Sequence, residues 1–187
     1  MMGLKNAPST WQRAIDSVCA GIRNTKIYID DVMQGAKTFE EYVEHCVVPL
    51  CETVVATNLT LKPSKTHFGV SRIIFCSLTI TSEGIQISDK SKNAITNFPH
   101  PNAPGLTIKQ RLTRVHGIRG IGNYFRSHIP HWAKVEAPLR ELCVEGAPFV
   151  WSAACAVGLM VMIERCQRLD PGSIPGRRTS FEPRISV

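Results

Sequence analysis

Two adjacent carboxylates, Asp30 and Asp31, interrupt a short β-branched and aromatic run, Thr25-Lys26-Ile27-Tyr28-Ile29, which resumes as Val32-Met33. Apolar strand, acidic turn and apolar strand is the pattern of a tight β-hairpin, with Asp30 and Asp31 expected at its tip. Carboxylates at a strand's end are held by a rigid sheet yet stay open to solvent and ligand. Two hard oxygen donors there suit Mg²⁺, which is usually bound by one or two carboxylates together with substrate phosphates. The same pair also has a purely structural reading, because Asp side chains cap backbone N–H groups in turns. A Tyr-x-Asp-Asp string alone is more often a turn than a metal site, so its context decides.

The flanking elements supply that context. Pro8 suits the first turn of a helix that places Trp11, Ile15, Val18, Cys19 and Ile22 on one face and stops at Gly21 and Asn24. After the hairpin, Thr38 with Glu41 three residues on is a capping-box start for a helix carrying Phe39, Val43, Cys46, Val47, Leu50 and Val54 inward. Pro49 lies inside it and is expected to kink it or end it early. Leu59–Lys62 alternates like a strand, Ile73–Ile80 reads as a second, more buried one, and Glu83-Gly84 turns it into Ile85–Ile87. This order points to an α+β lobe with an antiparallel sheet.

From Asp89 the character changes. A short helix over 89–98 meets a segment with three prolines, 98–105, and Thr107 then caps a basic helix with Leu112, Val115, Ile118 and Ile121 facing in. Lys109, Arg111, Arg114 and Arg119 fall largely off that stripe. A turn at His128-Ile129-Pro130 leads to a helix with Trp132, Val135, Leu139 and Leu142, completing a small helical lobe. Residues 170–187 hold proline, glycine and arginine without periodicity and read as a disordered tail or a sequence out of frame.

The net charge of +7 becomes informative once located. Residues 1–89 sum to −1, residues 90–140 to +8 with Glu136 as their single acid, and residues 141–187 to zero. A segment-sized basic patch is the footprint expected for a phosphate backbone. Seven cysteines with no Cys-x-x-Cys pair argue against a zinc site and for small buried thiols in a reducing compartment. No basic segment followed by an apolar run opens the chain, and the longest apolar stretch, Ala153 to Ile163, is too short for a bilayer. The expectation is an intracellular chain, cytoplasmic or nuclear, neither secreted nor in contact with a membrane.

Six ordered blocks resemble the reverse transcriptase of gypsy-type LTR retrotransposons and, more distantly, of retroviruses. Gly3-Leu4-Lys5-Asn6-Ala7-Pro8, followed by Trp11-Gln12-Arg13, is similar to the family's Gly-Leu-x-Asn-Ala-Pro block and its Phe/Trp-Gln-Arg helix. Tyr28-Ile29-Asp30-Asp31 matches its Tyr-x-Asp-Asp box. Leu59-Thr60-Leu61-Lys62-Pro63-Ser64-Lys65 resembles Leu-x-Leu-Asn-Pro-x-Lys, and Phe75-Cys76-Ser77-Leu78 with Gly84-Ile85 resembles Phe-Leu-Gly followed by Gly-Ile. Gly122-Asn123-Tyr124-Phe125-Arg126 through Pro130, then Ala137-Pro138-Leu139 and Phe149-Val150-Trp151, follow at family spacing.

The resemblance implies a truncated polymerase palm over 1–88, a basic helical thumb or connection-like lobe over 89–146 and a divergent tail over 147–187. It implies templated DNA synthesis by two-metal nucleotidyl transfer with two Mg²⁺ or Mn²⁺ ions in the intact enzyme, dNTPs as substrate and an RNA/DNA template–primer duplex as partner. Asp30 would be the main metal ligand and Asp31 its support, both catalytic. Gly3, Leu4, Asn6 and Pro8 would border the incoming nucleotide, Tyr28 would pack near the primer end on the strand face of Asp30, and Lys65 would face the triphosphate. Phe75 and Leu78 would belong to a primer grip. Lys109, Arg111, Arg114 and Arg119 would hold the duplex by its phosphates.

The family's site uses a third carboxylate from a strand upstream of the glycine block, and this chain starts inside that block. Ribonuclease H and integrase segments of a Pol polyprotein are absent as well. Ser77 stands at the primer-grip glycine and Thr66 at the block's cysteine. The expectation is a polymerase fragment inactive alone; the alternatives are a non-catalytic nucleic-acid-binding module or a remnant without function.

Overall fold

A computed structural model of the chain describes residues 5–168 and the backbone of Pro183–Ser186. Gly3 and Leu4 fall outside those residues. The chain divides into two compact units, Met1–Ile85 with Pro175–Val187, and Gln86–Ile174. Its architecture is mixed helix and antiparallel sheet, an α+β chain.

In the first unit, α1 (Ala7–Val18) begins at Pro8, whose missing N–H falls among donors a first turn leaves unpaired anyway. Ile15, Cys19 and Ile22 are buried as the spacing requires, whereas Trp11 and Val18 are exposed. β1 (Thr25–Tyr28) and β2 (Asp31–Gly35) form the hairpin, with Tyr28 opposite Asp31. Two small cores flank β2. Val32 packs with Ile15, Cys19, Ile22 and Leu50, while Met33, one residue on and therefore on the opposite face, packs with Ile73 and Ile80.

Pro49 neither ends nor breaks its helix. Between α2 (Phe39–Tyr42), capped by Thr38 Oγ1 accepting the Glu41 N–H at 3.1 Å, and α3 (Val48–Ala56) lies one π turn, Val43–Val47. The Val48 N–H reaches back to Val43 O, five residues away. In an α-helix the proline ring strikes the carbonyl four residues back. Widening the ladder just ahead of it moves that carbonyl aside and lets the helix continue.

Two strand expectations need correction. Leu59–Lys62 forms no strand: Leu59 and Leu61 are half-buried, which produces the alternation, but the main chain enters a 3-10 turn at Pro63–Lys65 instead of pairing. Ile73–Ile80 is two strands, β4 (Arg72–Phe75) and β5 (Leu78–Thr81), after the very short β3 (His67–Phe68). The reversal falls on Cys76 and Ser77, both left-handed at φ 48° and 64°. Consecutive positive φ values mark the primed turn whose twist suits a hairpin. β6 (Gly84–Ile87) completes a three-stranded sheet in the order β4-β5-β6. The other sheet has the order β1-β2-β7-β3, where β7 (Pro183–Ser186) runs antiparallel to both β2 and β3.

The second unit is helical: α4 (Asp89–Thr96), α5 (Ile108–Tyr124), α6 (Trp132–Glu141) and α7 (Ala153–Gln167). Thr107 and Gln110 form a full capping box at α5, and Val115, Ile118 and Leu139 are completely buried. A methyl group on Gly122 of α5 would overlap the indole ring of Trp132, and one on Gly158 of α7 would come within 2.6 Å of Val135 O. Helices cross closely where only hydrogen separates them.

Within the divergent tail expected over 147–187, α7 and β7 are regular elements, and β7 lies in the stretch 170–187 read as disordered. Ser152 Oγ caps α7 by accepting the Cys155 N–H at 3.3 Å, and the helix buries Cys155, Leu159, Met162 and Cys166. The rest of that expectation lies outside the described residues. All seven cysteines are free thiols; burial pushes Cys166 up to about 11. Among the described residues no helix is long and apolar enough to cross a membrane.

Candidate active site

Because Tyr28 pairs with Asp31, the hairpin loop consists of Ile29 and Asp30 alone, and Asp31 is the first residue of β2. Ile29 sits at φ 54°. A β-branched residue there is strained, and such strain persists only where surrounding groups over-determine it. Helix α1 provides those groups. The Ile29 N–H donates to Gln12 Oε1 at 2.7 Å, and Ile29 C=O accepts from Trp11 Nε1 at 2.9 Å. Gln12 Nε2 also donates to Ile27 O at 3.3 Å and to Asp16 Oδ1 at 2.8 Å. Two side chains of one helix thus hold both polar groups of the residue preceding Asp30.

The left-handed step at Ile29 breaks the period of two, so Tyr28 shares its pair position with Asp31 rather than with Asp30. Tyr28 is exposed, as are both carboxylates. They line an open cleft of about 410 Å³ with Val32, Thr60, Leu61, Lys62, Ser64, Lys65 and His67. Lys65 is thus brought to the carboxylates, together with Lys62 and His67. Asn6 and Pro8, exposed at the start of α1, do not line this cleft.

Phe75 and Leu78 pair with each other, half-buried, at the base of the Cys76-Ser77 turn. Burial raises the Cys76 thiol, and the negative charge of Asp31 raises it further.

In the helical unit the four cations read as backbone contacts have different surroundings. Arg111 Nη1 donates to Asn102 Oδ1 at 2.7 Å with its guanidinium 5.8 Å from the Phe149 ring centroid, and Arg114 Nη1 donates to His100 O at 3.0 Å. Arg119 is paired with Glu136, its Nε 2.6 Å from Oε1, in a largely buried bridge between α5 and α6. Lys109 is exposed and has no partner among the described residues. The Arg119 reading overlooked that the one acid of residues 90–140 would be claimed by a nearby base.

Sequence reasoning assigned no role to Trp11, Gln12, Lys62 or His67. Trp11 was legible as an apolar stripe position and as the first residue of a Trp-Gln-Arg block, neither of which assigns it a contact. Its exposure, with a polar Gln beside it, reflects a helix that braces a turn as well as a core.

A family profile described as "Reverse transcriptase (RNA-dependent DNA polymerase)" matches residues 1–118, well over half of the chain. The chain belongs to the reverse transcriptase family. Its relatives include the retrovirus-related Pol polyproteins of the Drosophila melanogaster transposons opus, 30% identical over 142 residues, and gypsy, 22% identical over 142; both matches cover 75% of this chain. Each also covers 13% of the relative, so the chain spans about an eighth of the polyproteins it matches. It corresponds to the reverse transcriptase region of retroelement Pol polyproteins. The fold agrees: a foamy viral protease–reverse transcriptase in complex with RNA/DNA hybrid superposes with a TM-score of 0.64 at 17% identity, covering 90% of this chain and 22% of the other. A second foamy viral protease–reverse transcriptase structure, in complex with double-stranded DNA, gives 0.64 at 17% identity over 88% of this chain and 28% of the other.

The donor set fits the divalent ions such polymerases use. Asp30 and Asp31 offer adjacent hard oxygen donors, exposed on a braced turn that lines an open cleft. Among the described residues no third His, Cys, Asp or Glu joins them.

Proposed function

We propose that this chain is the carboxylate-bearing part of a polymerase that copies RNA or DNA templates into DNA by two-metal nucleotidyl transfer. The observation that supports it most is the braced turn, which presents Asp30 and Asp31 to the cleft shared with Lys65. Asp30 would be the main holder of the ions and Asp31 its support; when bound, Mg²⁺ or Mn²⁺ would supply charge neutralisation at the primer hydroxyl and the leaving group. Tyr28 would flank the primer end, and Phe75 and Leu78 would grip the primer strand. Lys65 would face the triphosphate of a dNTP, with Gly3, Leu4, Asn6 and Pro8 bordering the nucleotide. Two carboxylates are short of the ligand count for two ions, so the chain alone would not extend a primer until another segment supplies a third.

Mn²⁺ binding followed by electron paramagnetic resonance tests this directly. Weak binding to the chain and at least about a tenfold loss in Asp30→Asn are expected, with no primer extension above that variant's level. Equal Mn²⁺ affinity in both proteins would sink the reading.

A second reading, a nucleic-acid-binding module without catalysis, is favoured by the +8 charge of residues 90–140. The two readings share one expectation about the helical unit. Lys109→Gln should weaken RNA–DNA hybrid binding and lower the slope of log affinity against log salt by about 1. Arg119→Gln should leave the slope unchanged and lower the unfolding midpoint, because it strands Glu136 without its cation. The reverse outcome would remove Lys109 from the interface.

A further inference from the structure

The larger sheet is joined through β7. Its four residues lie between β2 and β3, antiparallel to both, and among the described residues β2 and β3 do not pair with each other. The seam that β7 fills runs along the edge of β2, whose first residue is Asp31. Ser186 stands opposite Met33, so the same register continued by one residue reaches Val32, and by two reaches Asp31. The described pairing of β7 stops short of that point. Among the described residues Asp31 has a strand partner on one side, Tyr28 of β1, and none on the other.

The far end of β7 fits poorly. Its first residue is a proline, which brings no N–H to a ladder. The pairing also slips there: Ile185 and Pro183, two apart, face the adjacent residues Gln34 and Gly35. A short strand with a slipped register and a donorless end is weakly held, and main-chain pairing along its edges is open to any longer strand that fits without the slip. We propose that β7 is a displaceable strand, closing the seam between β2 and β3 against an extended peptide segment that carries an aspartate two residues past the one opposite Met33. Neighbours across an antiparallel pair lie about 4.5–5.5 Å apart at Cα, so a carboxylate at that position stands beside Asp31. It supplies the third oxygen donor that Asp30 and Asp31 lack among the described residues. The occupant belongs to the remainder of a Pol polyprotein, since the matches to the opus and gypsy polyproteins cover 13% of each. The proposal rests on the reading of Asp30 and Asp31 as metal-holding; it adds where the missing donor enters and what this chain releases to admit it.

Fluorescence anisotropy of a labelled, amidated peptide of alternating threonine and valine that ends in aspartate, added to the full chain, tests this. Ile185→Pro removes a donor from a strand paired on both sides and should free the seam. It should bind the peptide at least about tenfold more tightly than wild type, in proportion to the fraction of chains whose seam β7 had closed. With the peptide bound, Mn²⁺ affinity by paramagnetic resonance should rise at least about tenfold. A peptide ending in asparagine should bind as well and leave Mn²⁺ affinity unchanged. Hydrogen exchange on the wild-type chain needs no variant: amides of 184–186 should exchange at least about tenfold faster than those of β1. Exchange no faster than β1, or a folded Ile185→Pro chain that gains no affinity for the peptide, overturns the displaceable strand. If Mn²⁺ binding in that chain still depends on Asp30, the metal reading stands without it. Capture of the peptide by a chain that ignores Mn²⁺ supports the displaceable strand and removes the metal reading. In a chain that binds Mn²⁺, an equal response to both peptides overturns the placement of the donor. A wild-type dimer in sedimentation that Ile185→Pro abolishes assigns the seam to a second copy's β7 and overturns the proposal.

Discussion

Gly122→Ala is expected to destabilise the helical unit by about 3 kcal/mol, the upper end of what overpacking usually costs. The new methyl group would meet three ring carbons of Trp132. A loose indole would swing away, but this one is buried and its Nε1 donates to Asn123 Oδ1 at 2.7 Å, one residue from the substitution. Either the hydrogen bond breaks or α5 and α6 separate. In a cooperative unit of this size the unfolding midpoint should fall by more than about 10 °C. Gly120→Ala is the control on the same helix. Nothing lies within 4 Å of its added methyl, so it should stabilise by up to about 1 kcal/mol through helix propensity. Thermal unfolding of both variants decides the matter; two shifts of the same sign would mean that the close crossing at Gly122 is not what holds α5 to α6.

Gln12→Leu should lower Mn²⁺ affinity at Asp30 and Asp31 at least about tenfold while the chain stays folded. Leucine fills similar volume but returns no acceptor to the Ile29 N–H, now bonded at 2.7 Å. An orphaned, half-buried donor costs about 1–3 kcal/mol, and the left-handed Ile29 loses one of its two restraints. The turn then relaxes toward backbone angles a β-branched residue prefers, and the carboxylate that follows moves with it. Adding Ile29→Gly to Gln12→Leu should recover most of the affinity, because glycine occupies that region without being held. Metal titration of the single and double variants, with circular dichroism as the check on folding, distinguishes this from general damage. A double variant no better than Gln12→Leu would show that Gln12 acts otherwise than through the turn.

Much of the fold was legible because local chemistry and tertiary structure agree. The acidic interruption of an apolar run marked the hairpin, Thr38 and Thr107 marked helix starts that carry real caps, and Val115 and Ile118 fell on the buried stripe. The misreadings share a cause. Cys76 and Ser77 reverse the chain without a glycine, asparagine or aspartate to announce it, so two strands read as one. Leu59 and Leu61 alternate as a strand does, yet no neighbour among the described residues pairs with them as a strand. Pro49 is tolerated through a change of helical ladder that its own residue type does not encode. At the candidate site, Asp30, Asp31 and Lys65 could be named in advance. The bracing by Trp11 and Gln12, and the capture of Arg119 by Glu136, join residues 17 or 18 apart and become visible only in three dimensions.

The order of strands in the larger sheet has a consequence in time. β2, next to the carboxylates, pairs on one side with β1, its immediate neighbour in sequence, and on the other with β7, which follows the whole helical unit. The helical unit is continuous in sequence, and its closure of α7 on α4, Gln167 to Thr96, spans 71 residues, a shorter loop than the one between β2 and β7. The sheet that bears the acids must close across a long loop, which forms late. During synthesis the basic helices are therefore expected to form before the edge of β2 meets its last partner.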